Sequence, residues 1–282
     1  MHARVLEQIV AAALDEDIGP GDVTTEACVG PELTARARIR ANEAGAVAGL
    51  APAQEAFRQL CPAVSFAAYF TDGDRVDAGT VIAEVGGKAC GLLTAERTAL
   101  NFLQRLSGIA TLTSKFVAAV EGTQAAIVDT RKTTPGLRVL EKAAVRAGGG
   151  RNHRLALYDG VIIKDNHIRA AGGIAAAVAA ARRGASHLLS IEVEVATLEQ
   201  LDEALSAGAD VVMLDNMAVP TLREAVQRVA GRAVVEASGG VTLGSVREIA
   251  AAGVDLVSVG ALTHSAPALD ISMDFVDDGE TT

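Results

Sequence analysis

The chain has 282 residues, half of them hydrophobic, and a net charge of −10. That length suits one large domain or two modest ones with a sizeable core, and the acidic balance argues against general nucleic-acid binding. Cys28, Cys61 and Cys90 lie far apart with no zinc or redox spacing, which suggests reduced thiols in a cytosol, and no apolar run is long enough to span a bilayer.

Leu6, Ile9, Val10, Ala13 and Leu14 recur at helical spacing and predict an amphipathic helix over residues 3–15, in place of a secretory leader. Residues 15–25 read as an acidic, turn-rich loop. Residues 34–49 alternate loosely and read as strands, and 51–60 as a helix. Phe66–Phe70 and Val81–Val85 read as strands around the turn at 72–79. That hairpin resembles those of biotinyl and lipoyl carriers but has no lysine to modify, so it reads as scaffold. A helix is expected from Thr94 to Leu106, with Thr94 as its cap and Glu96 in its first turn.

From residue 125 the pattern becomes a strict alternation. Candidate strands are 125–129, 160–164, 189–195, 210–215, 233–237 and 255–259; helices fall at 135–147, 172–183, 197–207, 218–230 and 242–252. Thr134-Pro135 reads as a helix cap followed by proline, and Thr197-Leu-Glu-Gln200 as a capping box. Repeated βα units mean a parallel sheet. Six units fall short of a closed eight-stranded barrel, so an incomplete or irregular one is expected. The residues ending the strands are Asp129, Lys164, Glu194, Asp215 and Glu236. In such a barrel they gather at the face that carries the active site. A dinucleotide-binding open sheet would gather them too, but G-x-G-x-x-G is missing after the first strand.

Arg131, Lys132, Arg151, His153, Arg154, Lys164 and His167 fall within about forty residues, mostly at loop positions, and suit an anionic ligand. Glu192 and Glu194 share one strand face. A solvated face is the bland reading, and a salt bridge to Lys164 is the bland reading of Glu194 or Asp215. In a barrel covered by helices, these carboxylates more often face the site, where they can hold Mg²⁺ or stabilise positive charge. Ala237-Ser-Gly-Gly-Val241 and Val259-Gly-Ala-Leu-Thr-His264 follow the last two strands. Either alone is a plain turn; together they favour a phosphate cradle. Arg97 reads as a solvated helix residue. Lys164 alone could be a Schiff-base lysine. The residues thus point to a transferase or lyase acting on phosphorylated and carboxylated small molecules.

Nine motifs in register carry a resemblance: Thr94-Ala-Glu-Arg-Thr-Ala-Leu-Asn101, Leu106-Ser-Gly-Ile-Ala-Thr111, Asp129-Thr-Arg-Lys-Thr133, Gly148-Gly-Gly-Arg-Asn-His-Arg154, Ile163-Lys-Asp-Asn-His167, Glu192-Val-Glu-Val195, Leu214-Asp-Asn216, Glu236-Ala-Ser-Gly-Gly240 and Val259-Gly-Ala-Leu-Thr-His264. With Glu16-Asp-Ile-Gly-Pro-Gly-Asp-Val-Thr-Thr25 they resemble the quinolinate phosphoribosyltransferase family, the carboxylating nicotinate-nucleotide pyrophosphorylases, over residues 5–275. Ala143 stands where the family often has an aromatic residue. The resemblance implies an α/β fold: an N-terminal α/β sandwich domain (1–110, with 266–282 a candidate addition) and an open, incomplete, seven-stranded α/β barrel (111–265).

It also implies a cytoplasmic, Mg²⁺-dependent enzyme of de novo NAD biosynthesis, acting without membrane or nucleic acid. Phosphoribosyl pyrophosphate and quinolinate give nicotinate mononucleotide, pyrophosphate and CO₂. By the resemblance, Arg97 reaches a quinolinate carboxylate across a homodimer with shared sites. Thr130, Arg131, Lys132, His153, Arg154 and Lys164 correspond to the quinolinate pocket and the cationic wall near pyrophosphate. Glu194 and Asp215 correspond to the carboxylates at the ribose and metal. Ser238, Gly239 and Gly260 correspond to the 5-phosphate cradle, with His264 beside it. Lys132, Lys164, Glu194 and Asp215 carry the chemistry. The rival readings are a homologue with another acceptor such as nicotinate, a Schiff-base aldolase using Lys164, and a noncatalytic carrier.

Overall fold

The structure is a computed structural model that describes residues 2–276. The chain begins with α1 (Ala3–Ile18), α2 (Val23–Cys28), β1 (Thr34–Ala41), β2 (Gly45–Ala46), α3 (Leu50–Leu60), β3 (Ser65–Ala68), β4 (Arg75–Val76), β5 (Val81–Lys88) and α4 (Ala89–Ala119). It continues with β6 (Ala126–Val128), α5 (Arg138–Ala147), β7 (Val161–Ile163), α6 (Asp165–Ala171), α7 (Ile174–Gly184), β8 (Ile191–Val195) and α8 (Leu198–Ser206). The last elements are β9 (Val211–Asp215), α9 (Val219–Val229), β10 (Val234–Ser238), α10 (Val246–Ala250), β11 (Leu256–Ser258), α11 (Ala261–His264) and β12 (Ile271–Phe275).

Among the described residues two compact units result: residues 2–114, 134–149 and 265–276 form one, and residues 115–133 and 150–264 the other. The first holds a four-stranded antiparallel sheet in the order β12-β1-β5-β3 and the small pair β2-β4. Ile39, Val85 and Ile82 on the sheet and Phe57 and Leu103 on the helices are fully or almost fully buried. Each such side chain contributes about 1.5–3 kcal/mol of transfer free energy. The last strand, β12, pairs with β1 from Ala37–Phe275 to Ala41–Ile271. Strand β12 runs to Phe275, and residues from 277 on lie outside the described residues.

Helix α4 is longer than its sequence signals suggest. Thr94 is no cap but an interior residue, and its Oγ1 donates to Asp22 (3.0 Å). Residues 15–25 are likewise not all loop, since α1 runs to Ile18 and Asp22 caps α2. Pro135 lies in a turn ahead of α5. Thr134 does not cap that helix; its N–H and Oγ1 bond instead to the side chain of Glu141 (3.0 and 2.7 Å). Thr197 does cap α8, accepting from Gln200 N–H (3.3 Å), while the Gln200 side chain accepts from Ala196.

The second unit is built on six parallel strands in the order β6-β11-β10-β9-β8-β7. The last strand in sequence, β11, returns to pair with the first, β6, as a sheet wrapping toward a barrel must. The sheet stays open. The seventh strand implied by the resemblance is reduced to one parallel bridge, Arg151 to Val128, and β7 forms no ladder with that segment. The short helix α6, unexpected from the periodicity, directly follows β7. Ile191, Val193 and Val195 are buried along β8, and so is Glu192 between them. Burial on both faces is what a parallel sheet covered by helices produces.

Candidate active site

One face of the parallel sheet builds the site. Register aligns Glu194 with Met213, Met213 with Glu236, and Asp215 with Ser238. Residues two apart on a strand share a face. These residues, with Ile162 and Ser258, line a cavity of about 780 Å³. The loops after the strands complete it. Thr130, Arg131 and Lys132 follow β6; His153 and Arg154 follow the bridge at Arg151; Lys164 follows β7; Gly239 to Thr242 follow β10; Gly260, Ala261 and His264 follow β11. All twelve residues matched to the barrel part of the site therefore line one cavity. Arg97 does not; it is exposed on α4 in the first unit. Two members of the cationic cluster also stay outside. Arg151 makes the sheet bridge, and His167 accepts the Lys164 N–H at Nδ1 (3.0 Å).

Local chemistry fixes the loops. Thr130 Oγ1 accepts the Lys132 N–H (3.1 Å), and Thr263 Oγ1 donates to Lys132 O (2.8 Å), pinning that loop to α11. A Cβ at residue 260 would lie 3.1 Å from Lys132 Cδ and 3.2 Å from His264 Cδ2, so glycine lets both side chains close in. Asn216 was noted beside Asp215 but given no role of its own, and it lines the cavity in a left-handed conformation (φ 53°). Its Nδ2 donates to Asp215 Oδ1 (3.0 Å), and its N–H donates to Ser238 O (2.8 Å). Asparagine after a strand-ending aspartate was the available signal, because asparagine tolerates that conformation better than most residues.

The electrostatics divide the cavity. Lys164 Nζ is ion-paired with Glu194, as the bland reading of these two foresaw. Arg131 and Arg154 each keep a buried Nε without a protein partner. Burial, and then the charge of Arg131, lower the pKa of the Arg154 guanidinium. Two crowded cations with unmet donors call for an anion with acceptor oxygens.

Beside them His153, assigned to the acceptor pocket, meets two strand carboxylates that were read as facing the site but were not paired with it. His153 Nε2 lies 3.1 Å from Glu192 Oε2 and 3.3 Å from Glu236 Oε2. Glu236 is 0 % exposed and Glu192 5 %. The two carboxylates favour a protonated ring and push the His153 pKa up to about 10, against the pull of burial. The Arg154 N–H aimed at Nδ1 (2.7 Å) opposes that, because the contact needs a lone pair there. The geometry therefore favours the neutral ring with its proton on Nε2. Burial raises the pKa of Glu192, and the neighbouring His153 pulls it back down. A metal ion on Nε2 is disfavoured by the same contact, although the three side chains lie close enough to hold one.

Residues 22–107 match the N-terminal domain, and residues 109–274 the C-terminal domain, of quinolinate phosphoribosyl transferase. The chain belongs to the quinolinate phosphoribosyltransferase family. A probable nicotinate-nucleotide pyrophosphorylase [carboxylating] of Bacillus subtilis is 51% identical over 259 residues, 92% of this chain and 89% of that one. A quinolinate phosphoribosyltransferase [decarboxylating] of Nicotiana glauca is 43% identical over 287 aligned positions, covering 95% of this chain and 81% of its own. The solved nicotinate-nucleotide pyrophosphorylase of Francisella tularensis superposes with a TM-score of 0.94 at 39% identity, over 98% of both chains. The family's fold is thus present through both units.

Proposed function

We propose that the chain transfers the phosphoribosyl group of phosphoribosyl pyrophosphate to quinolinate with decarboxylation, the pentosyl transfer of de novo NAD biosynthesis. The products are nicotinate mononucleotide, pyrophosphate and CO₂. The observation that carries this reading is the crowding of Arg131 and Arg154, with unmet Nε donors, into the cavity that also holds Glu194, Asp215 and the glycine turns.

Guanidinium groups match the planar carboxylates of quinolinate, and Lys132 and Lys164 add point charges toward pyrophosphate. Ser238, Gly239 and Gly260 offer close backbone approach to the 5-phosphate. As the bond from C1 of the ribose to pyrophosphate breaks, positive charge grows on the ring; Glu194 and Asp215 stabilise it. The pyridine nitrogen, held in place by the cations, forms the new bond to C1. The quaternised ring then accepts the electron pair left when the adjacent carboxylate departs as CO₂, and a proton adds to that carbon. Glu194 and Asp215 are hard oxygen donors of the type that suits Mg²⁺. When bound, the ion supplies neutralising charge to the leaving group. We further read the enzyme as a homodimer in which Arg97 of a second copy serves the acceptor pocket. Its cysteines are free, which fits a reducing cytoplasm. No helix among the described residues is long and apolar enough to cross a membrane.

The test is product formation from quinolinate and phosphoribosyl pyrophosphate with Mg²⁺, followed by chromatography, with nicotinate as a parallel acceptor. Turnover with quinolinate alone, lost in R131A, is expected. A folded protein with no turnover on either acceptor would refute the reading, and borohydride trapping at Lys164 with a carbonyl substrate would then be tried.

A further inference from the structure

Two non-glycine residues among the described residues have positive φ, Asn216 (53°) and Ala230 (47°). The place of Ala230 explains it, because it caps the C-terminus of α9 in the left-handed conformation that commonly ends a helix. Asn216 ends no helix. It directly follows β9, and α9 begins only at Val219. A strained backbone without such a local cause directs attention to the cavity that Asn216 lines.

The left-handed turn brings three contacts together. Register sets Asp215 beside Ser238, and the Asn216 N–H extends that pairing one step by donating to Ser238 O (2.8 Å). The side chain then meets the Gly239-Gly240 turn. A Cβ at Gly239 would fall 2.4 Å from Asn216 Cγ and Oδ1 and 2.6 Å from its Nδ2, so the whole carboxamide lies against that glycine. A Cβ at Gly240 would meet Oδ1 at 3.7 Å, an ordinary contact. From the same carboxamide, Nδ2 donates back to Asp215 Oδ1 (3.0 Å). One side chain thus touches both the carboxylate placed at the ribose and the turn placed at the 5-phosphate.

The amide suits this place. Glu194 is held by a cation, Lys164, which offsets its charge. Asn216 holds Asp215 with a neutral donor, so that carboxylate keeps its charge for the positive ribosyl ring. The Asn216–Asp215 bond is also exposed, and an exposed hydrogen bond competes with water and adds little to stability. The site accounts for the arrangement better than the fold does.

We propose that Asn216 is a positioning residue that sets the spacing between the Asp215 carboxylate and the Gly239-Gly240 turn, and so fits the site to the span of a ribose 5-phosphate unit. This rests on the phosphoribosyl reading given above. Asp215 and the turn touch the ligand; Asn216 acts through them.

The test uses N216G, because glycine takes φ 53° without strain and removes only the carboxamide. Its urea midpoint should stay close to that of wild type. The full chain is titrated with inorganic phosphate and with ribose 5-phosphate. Inorganic phosphate needs the turn alone, and its affinity should stay within about twofold. Ribose 5-phosphate must reach both groups, and its affinity should fall about tenfold. Equal losses for the two probes would mean that Asn216 binds phosphate itself, and unchanged affinity for both would mean that the spacing is set elsewhere; either result overturns the proposal. A second reading needs no ligand. Backbone NMR order parameters at Gly239 and Gly240 should fall from the rigid value of about 0.85 to below about 0.6 in N216G, with Gly231 unchanged. Order parameters that stay the same at both glycines also overturn it. If wild type binds no ribose 5-phosphate, the phosphoribosyl reading itself fails, and the order parameters still decide the positioning.

Discussion

Replacing Gly239 by alanine tests the phosphate turn and the residues behind it. Gly239 sits at φ +95°, and a Cβ there would come 2.4 Å from both Cγ and Oδ1 of Asn216. The left-handed conformation costs alanine about 1–2 kcal/mol, and the loss of unfolded-state freedom returns about 0.4–1 kcal/mol. Backbone strain alone therefore amounts to about 1 kcal/mol. Gly231 isolates that part, because it has φ +76° and nothing within 4 Å of a built Cβ. In G239A the Asn216 side chain must also move about 1 Å to reach ordinary carbon contact. It is not free to do so without loss, because its Nδ2 donates to Asp215 Oδ1 and its backbone is held by the N–H bond to Ser238 O. The clash should add about 2 kcal/mol, for about 3 kcal/mol in all. Misplacing one charge-assisted phosphate bond loses about 1.5–3 kcal/mol. That is roughly a ten- to hundredfold rise in KM for phosphoribosyl pyrophosphate. Urea unfolding and steady-state kinetics would be run on wild type, G239A and G231A, with KM for quinolinate as the internal control. A G239A enzyme with the urea midpoint of G231A and an unchanged KM for phosphoribosyl pyrophosphate would refute both the packing argument and the cradle.

Glu141 is 0 % exposed and takes bonds from Arg105 Nε and Nη2 and from Thr134 N and Oγ1. E141A should therefore destabilise the first unit by about 3 kcal/mol in urea unfolding, since it removes the buried carboxylate that takes two guanidinium donors and both Thr134 donors; a loss below about 1 kcal/mol would contradict this. Asp210 gives a pH prediction. Burial would raise its pKa, but the Arg182 guanidinium and the Ile191 N–H overcome that and hold it below its ordinary value. Its contribution is present above the unfolded-state value near 3.8 and is lost as pH falls through the lower folded value. The pair is half exposed, so roughly 1 kcal/mol or less is at stake. The gap in melting temperature between wild type and D210N should hold above the unfolded-state value of 3.8 and narrow as pH falls below it; a gap that widens on acidification would show the sign to be wrong.

The sequence by itself determined the order of elements and most of the site. The βα alternation after residue 125 is a matter of local periodicity, and strand-ending polar residues in such a unit have one face on which to meet. That is why Lys164, Glu194 and Asp215 could be placed together without coordinates, and why the glycine turns at 239 and 260 could be matched to an anion. Helix ends were harder to read. Thr94 has the chemistry of a cap, but α4 begins at Ala89 and turns that hydroxyl toward Asp22. Thr134 likewise spends its hydrogen bonds on Glu141, seven residues on.

Only the tertiary structure decided what lies under the cationic wall. Glu192 and Glu236 are forty-four positions apart in sequence, and neither has a neighbour that hints at the other. The wrapping of β8, β9 and β10 brings both to one imidazole, and the missing seventh strand leaves that imidazole to be held by carboxylates instead of a ladder. Local periodicity records which face a residue takes. Which buried charges share that face across strands, and whether they are paired, follows from register and closure, which are properties of the folded chain as a whole.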